Sequence, residues 1–269
     1  MEDRLDRRRG PPPTRVSPPA ALPTDVDALP TLSPAYDRAL DAGLAATGLT
    51  LPPDARSAIE RHVRLLLAWN AAINLTGIVA PEAIATGHVL DSLTALPFLP
   101  LGPLDVLDLG SGGGFPGVPL AAVRPDVQLT LVDSVAKKAR FLEAAVGAAG
   151  LADRASVRAV RAEALAGTAT WDVVVARAVG SLADLVELSM PLLRPGGRLI
   201  AWKGAAIADE LPAARRAAVA LGALPPTVHR AAPDGPPDLT GHVLAVVVKR
   251  RPTPASYPRD PARRLRHPW

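Results

Sequence analysis

One stretch constrains this chain more than any other. The short apolar run 104–109 reads as a buried strand and leads directly into Gly110-Ser111-Gly112-Gly113-Gly114-Phe115-Pro116-Gly117. Glycines there let the backbone turn tightly and approach a ligand before a helix begins. Asp133 stands 23 residues beyond Gly110, at the end of the next apolar run, 128–133. A carboxylate in that place can accept from both ribose hydroxyls of a nucleoside. Short apolar runs then alternate with helical periodicity. Strands are expected at 156–160, 171–176, 198–202 and 243–248, and helices at 119–123, 137–149, 181–193 and 207–221. The fold class that satisfies this order is α/β, a doubly wound, mostly parallel sheet.

Ahead of the sheet the pattern is different. Residues 1–34 carry eight prolines and no apolar periodicity, which predicts a disordered arm. Residues 35–100 read as an α-helical N-terminal extension. One helix over 54–70 places Ile59, Val63, Leu66 and Leu67 on one face, and another over 81–96 opens at Pro81-Glu82 and runs through His88 and Ser92. The α/β domain follows over 101–249, and a basic tail over 250–269. Residues 249–269 hold seven basic side chains against Asp260 alone, whereas residues 31–248 hold 18 basic and 20 acidic ones. The net charge of +4 therefore sits mostly in the tail, an electrostatic handle for a polyanion such as RNA.

Composition removes several chemistries. With no cysteine in 269 residues there is no disulfide, thiolate metal site or cysteine nucleophile. The five histidines show no ligand spacing, so no metal is expected. No apolar stretch reaches the roughly 18 residues of a membrane span, and no apolar segment follows the N-terminal arginines as in a signal peptide. A soluble, cytoplasmic protein, monomeric by default, is the expectation. Nine aromatic residues are too few for a base-stacking platform to be the main grip on RNA.

The loop itself discriminates between nucleoside cofactors. Gly112–Gly117 matches G-x-G-x-x-G, which admits a nicotinamide dinucleotide. Asp108, two residues ahead of Gly110, would repel a pyrophosphate but suits the amino group and sulfonium of S-adenosylmethionine. Asp108, Gly110, Gly112 and Asp133 are thus candidate S-adenosyl-L-methionine contacts. Beyond strand 171–176 comes Arg177-Ala178, without the Asp/Asn-Pro-Pro element that holds an exocyclic amine. A cation there suits an acceptor-rich edge, and the Hoogsteen edge of guanine offers O6 and N7. Guanine N7 carries a free lone pair and needs no general base, so catalysis reduces to alignment. Arg177 and Lys203 are the candidate catalytic residues. Lys137, Lys138 and Arg140 crowd a helix start, against the macrodipole, and are candidate RNA contacts, or solubilising charges. Asn74 and His88 could line an RNA entrance or lock the helical extension onto the sheet.

With these residues the chain resembles the RsmG family, also called glucose-inhibited division protein B. The resemblance spans about residues 55–249. It rests on Trp69-Asn70, Asn74-Leu75-Thr76, His88 with Leu90-Asp91-Ser92, and the glycine loop. It continues through Leu131–Ser134, Lys137-Lys138, Arg140-Phe141-Leu142, Arg177-Ala178 and Lys203-Gly204. It implies a class I S-adenosylmethionine-dependent methyltransferase fold and direct in-line methylation of N7 of one guanine, nucleotide 527 in the 530 loop of 16S rRNA. The partner would be 16S rRNA or the small ribosomal subunit. Carried over by position, Gly110, Phe115, Ala162, Glu163 and Arg177 look like the cofactor-binding set, so Arg177 has both a cofactor and a base reading. The alternatives are a nicotinamide oxidoreductase, disfavoured by Asp108, and an RNA-binding or ribosome-assembly protein that retains a nucleoside pocket.

Overall fold

The computed structural model describes residues 22–167 and 171–269. Three helical pieces lead: α1 (Pro34–Thr47), α2 (Pro53–Ile73) and α3 (Pro81–Ile84), the last running through a π-helical turn (Ala85–Leu90) into α4 (Asp91–Leu93). Then come β1 (Leu104–Leu109), α5 (Gly117–Val123), β2 (Val127–Val132), α6 (Ala136–Ala148), β3 (Ala155–Arg158) and β4 (Trp171–Arg177). The chain closes with α7 (Leu182–Ser189), β5 (Leu193–Lys203), α8 (Ile207–Ala220), β6 (Thr227–Arg230), β7 (Val243–Val248) and α9 (Pro261–Arg266).

The strands form one sheet in the order β3-β2-β1-β4-β5-β7-β6. All pairs are parallel except those of β7, which runs antiparallel to both β5 and β6. The α/β, doubly wound, mostly parallel fold is therefore present. The central strands are apolar because both faces are covered, and alternate residues feed opposite layers. Val173 and Val175 of β4 enter the layer beneath the N-terminal helices, α5 and α6. Val174 and Ala176 enter the layer beneath α7 and α8. The order reverses between β1 and β4, which opens a crevice beyond their carboxyl ends.

The helical extension is fastened to this sheet. Helix α2 starts with Pro53 in its first turn and buries Ile59, His62, Val63, Leu66 and Trp69 along one stripe. A third helix, α1, was not anticipated. Tyr36, Leu40 and Leu44 bury at i, i+4, i+8, and Gly43 meets Leu90 so closely that an added Cβ would run into its Cδ2. Of the expected disordered arm, residues 1–21 lie outside the described residues, whereas 22–33 pack on α2. Val26 is buried, the Trp69 indole donates to the Pro23 carbonyl at 2.6 Å, and Arg64 donates to the carbonyl of Pro30 at 2.9 Å. Proline-rich backbone without regular structure still offers carbonyls, and α2 supplies the donors.

The basic tail is pinned to the α/β domain at Arg259, while Arg250, Arg251, Arg263 and Arg266 stay exposed. Glu187 of α7 is fully buried, and the Arg259 guanidinium forks onto it through Nε at 3.0 Å and Nη2 at 2.6 Å. A buried carboxylate without such a partner costs several kcal/mol. Burial raises the Glu187 carboxyl, but the bonds from Arg259 and Trp269 outweigh it and leave it net lowered. Strand β6 was not anticipated either, because Thr227–Arg230 is an exposed edge with no alternation of apolar residues.

The loop after α2 forms one wall of the crevice, and Asn70 holds it. Its Oδ1 accepts from the amides of Leu75 and Thr76 at 2.7 and 2.8 Å, and its Nδ2 donates to the Thr76 carbonyl at 2.9 Å. Asn70→Ala removes all three bonds and should lower unfolding free energy by about 2–3 kcal/mol, read from urea denaturation.

Candidate active site

The glycine loop is held from three sides. From β2, the Val132 carbonyl accepts from the amides of Gly110 and Ser111 at 2.8 and 2.9 Å. Asp133 accepts from the Gly112 amide at 3.1 Å and from the Val135 amide at 2.8 Å. From α2, His62 lies 2.8 Å from the Gly113 carbonyl, to which Nε2 donates. From below, Asp108 accepts from the Gly117 amide at 2.9 Å. Gly110 adopts φ +75°, and a Cβ there would meet Val179 at 2.6 Å, so only glycine fits.

Two cavities meet across this loop. One of about 410 Å³ lies beyond β2 and β3, between Asp133, Lys138, Ala162, Glu163, Val179 and Arg264. The other, of about 400 Å³, lies beyond β1 and β4, between Thr76, His88, Phe115, Lys138, Arg177 and His242. Gly110, Lys138 and Ala178 belong to both. Ala178 holds φ +57°, a conformation that L side chains adopt at a cost of roughly 1–2 kcal/mol, and it sits between Arg177 and the Val179 contact.

The second cavity is organised by Asp91, which is 1% exposed. Its Oδ2 takes Nη1 of Arg177 at 3.0 Å, its Oδ1 takes Nδ1 of His242 at 3.0 Å, and its carbonyl takes the Trp202 indole at 2.9 Å. Arg177 also donates to the Gly87 carbonyl and to Nδ1 of His88, both at 3.0 Å. Because arginine only donates, His88 must accept at Nδ1 and donate through Nε2 to the Thr76 hydroxyl, 2.7 Å away. The π-helical turn presents Gly87, His88 and Asp91 together on one side of the helix. His88 stacks on Phe115 with centroids 4.8 Å apart, and the Arg177 guanidinium lies 5.3 Å from the same ring.

Charge follows from these partners. Burial, reinforced by Arg177, pushes the His88 imidazole down to about 4. Burial pushes His62 down to about 4 as well. The hydrogen bond to Asp91 raises His242. Burial pushes the Asp108 carboxyl up to about 7, and one of its oxygens is buried without a partner.

The expected site residues thus fall into four groups. Gly110, Gly112, Phe115, Asp133, Ala162, Glu163, Arg177, His88 and Lys138 line the two cavities. Asp108 does not: it lies beneath the loop, because its carboxylate is drawn onto the Gly117 amide. Lys203 reaches the rim but is taken by Glu210 at 2.8 Å and the Gly180 carbonyl at 2.9 Å, so it pins the 178–180 loop. Lys137 and Arg140 are exposed on α6, away from both cavities, and Asn74 is an exposed left-handed cap of α2. Sequence reasoning missed His242 and Arg264. Pairing of Lys203 with Val243 in the antiparallel β5–β7 ladder carries His242 to the carboxyl end of β5; a parallel β7 would have placed it at the opposite end of the sheet. No sequence signal locates Arg264. Among the described residues no cluster of acidic and histidine side chains could hold a metal.

The donor and acceptor set fits S-adenosylmethionine: a glycine cradle that a Cβ would fill, with two carboxylates facing the adjoining cavity. The family model for GidB, rRNA small subunit methyltransferase G, matches residues 55–234. The ribosomal RNA small subunit methyltransferase G of Roseiflexus castenholzii is 43% identical over 216 residues, covering 79% of this chain and 91% of that protein. The protein of the same name from Deinococcus radiodurans is 40% identical over 238 residues, covering 85% and 90%. Among solved structures, the O-methyltransferase TomG from Streptomyces achromogenes is similar with a TM-score of 0.49 and 17% identity, covering 80% of this chain and 99% of that one.

The imidazoles should titrate in two separate ranges by NMR, His62 and His88 near pH 4 and His242 above 6.5. Both buried imidazoles regain an ordinary value near 6.5 on unfolding. The two imidazoles therefore bind more protons in the unfolded chain between about pH 6.5 and 4, Asp108 binds its proton in the folded chain over the same window and offsets about one of them, and the net effect is a modest fall in stability as pH is lowered. A urea midpoint that stays flat from pH 6.5 to 4 would contradict this assignment.

Proposed function

The chain belongs to the GidB family, rRNA small subunit methyltransferase G, and from that premise we propose how its two cavities divide the reaction. It is an S-adenosylmethionine-dependent methyltransferase that acts on N7 of a guanine, nucleotide 527, in 16S rRNA. The observation that carries the division of labour is chemical asymmetry across Gly110. One cavity offers the acceptors Asp133 and Glu163, and the other offers a stacked His88–Phe115 pair with the donors of Arg177 and His242.

Bound in this cleft, S-adenosylmethionine supplies an electrophilic methyl group on a sulfonium. Asp133 and Glu163 would accept from its ribose and adenine, Ala162 would lie against the adenine, and Gly110, Gly112 and Phe115 would shape the passage towards the second cavity. Asp108 acts through the loop, by holding Gly117. The acceptor guanine would lie along the His88–Phe115 wall. Arg177 spends three bonds on Gly87, His88 and Asp91, and its remaining N–H groups have no partner among the described residues. These would donate to O6. A donor aimed at N7 itself would block the attacking lone pair, so the useful arginine contact is to the neighbouring oxygen. No base is needed, and the protein's contribution is to hold N7 in line with the methyl. Lys203 positions the 178–180 loop and does not touch the base. Lys138, together with Lys137 and Arg140, would meet RNA phosphates, with Asn74 and His88 towards the entrance.

Both cavities are built by one chain, which supports a monomer. No helix among the described residues is long and apolar enough to cross a membrane, and rRNA as substrate supports a cytoplasmic site of action.

The test is methyl transfer from labelled S-adenosylmethionine to small-subunit rRNA, naked and in particles, from cells lacking this modification, followed by mapping. Label should appear in a single 7-methylguanosine at nucleotide 527. Arg177→Lys keeps a cation beside Asp91 but loses the planar fork, so the rate should drop about 100-fold or more, well beyond the modest fall in thermal midpoint that the lost bonds to Gly87 and His88 bring. Wild-type turnover by that variant would remove Arg177 from the base contact.

A further inference from the structure

The C-terminal segment reaches a site that its sequence gave no reason to expect. Arg264 of α9 donates through Nη2 to Oε1 of Glu163 and through Nη1 to the Arg259 carbonyl at 3.1 Å. The side chains of Arg264 and Glu163 are 13% and 23% exposed, so the pair lies largely out of solvent. Both residues wall the cavity that contains Asp133 and Ala162. The second oxygen of Glu163 has no partner among the described residues.

Everything around Arg264 serves to fix it. The Arg259 amide and guanidinium both bind the fully buried carboxylate of Glu187. The Trp269 indole donates to the same carboxylate at 2.6 Å. The Arg259 guanidinium lies 4.8 Å from the Trp269 ring, which stacks on Tyr257. Asp260 caps α9 by accepting from the Arg263 amide at 2.9 Å. A six-residue helix has little stability of its own, so this network is what holds Arg264 in place.

We propose that Arg264 is a positioning residue for cofactor specificity: it occupies one oxygen of Glu163 and thereby aims the other at the exocyclic amine of the adenine. The inference rests on the reading of this cavity as the adenosine half of the cleft. A carboxylate only accepts, so an aimed oxygen favours adenine, whose 6-amino group donates, over hypoxanthine, whose 6-oxo group does not. The tail of the chain therefore takes part in choosing the nucleobase of the cofactor.

Calorimetric binding of S-adenosylhomocysteine and its inosyl counterpart to the full chain tests this without turnover. The wild type should prefer the adenosyl compound. In Arg264→Ala that preference should shrink about tenfold, the scale of one hydrogen bond to a charged group, through weaker adenosyl binding with inosyl binding nearly unchanged. Glu163→Gln, which leaves the Arg259–Glu187 anchor of the tail in place, should lose preference at least as far, because Arg264 takes its one oxygen and its amide N–H groups face the base. Arg263→Ala, an exposed neighbour on the same helix, should behave as wild type. Arg264→Ala with undiminished preference, beside tight adenosyl binding by the wild type, would overturn the role of Arg264 and leave the cleft assignment standing. Failure of the wild type to bind the adenosyl compound at all would overturn both.

Discussion

A carboxylate almost without solvent, Asp91, sets the terms for the acceptor end of this molecule. Burying it is tolerable only if its oxygens are answered by charge and hydrogen bonds, and they are answered by Arg177 from the sheet and His242 from the strand edge. One group thereby fixes the position of two donors from distant parts of the chain. The same requirement explains why Arg177 is held in place: its three bonds go to Gly87 and His88 of the π-helical turn and to Asp91 at the start of α4, so the fold alone fixes the guanidinium. Preorganisation of this kind matters for a reaction whose catalysis is alignment.

The glycine loop depends on a parallel arrangement. Loops rich in glycine are entropically costly to hold, and this one is bonded on three sides by Val132, Asp133, His62 and Asp108. His62 fills this role because burial keeps its imidazole neutral, with one nitrogen donating to the Gly113 carbonyl. A charged side chain in the same place would need a counterion inside the core. The helical extension thus does two jobs at once, packing its apolar stripe on the sheet and bracing the loop through a single polar residue on that stripe.

What the sequence made legible was whatever rests on local pattern. The parallel strands, the crossover helices and the placement of Gly110 and Asp133 at adjoining strand ends follow from periodicity and turn chemistry, although β5 begins at Leu193, where Pro195-Gly196-Gly197 hides its first residues, and the exposed edge β6 leaves no pattern. Long-range partnership was illegible. Asp108 reads as a cavity acid from spacing, yet only the packing of α5 shows that its carboxylate turns under the loop to Gly117. Lys203 reads as a rim cation, yet Glu210, seven residues on, claims it. Residues 22–33 look disordered by composition, and the tail reads only as a run of positive charge, because nothing local reveals that Trp69 seeks the Pro23 carbonyl or that Glu187 is buried opposite Arg259. Helix α1 was legible in principle, from Tyr36, Leu40 and Leu44 followed by Gly48, but the prolines before it obscured its start.

These partnerships share a design. The sheet supplies a nucleoside cleft of a kind that many folds of this class could offer, and fold alone does not assign a reaction. What distinguishes this chain is added at its two ends. The N-terminal extension grips Arg177 at the tip of β4 through Asp91 and His88, and the C-terminal segment grips Glu163 just past β3 through Arg264. Each grip is a charged pair largely removed from water, where geometry matters most and screening least. Each also ties a segment without a core of its own to the sheet. Fastening the ends of the chain and aiming its functional side chains are therefore one and the same physical event, which is why neither end could be read correctly without the other half of its pair.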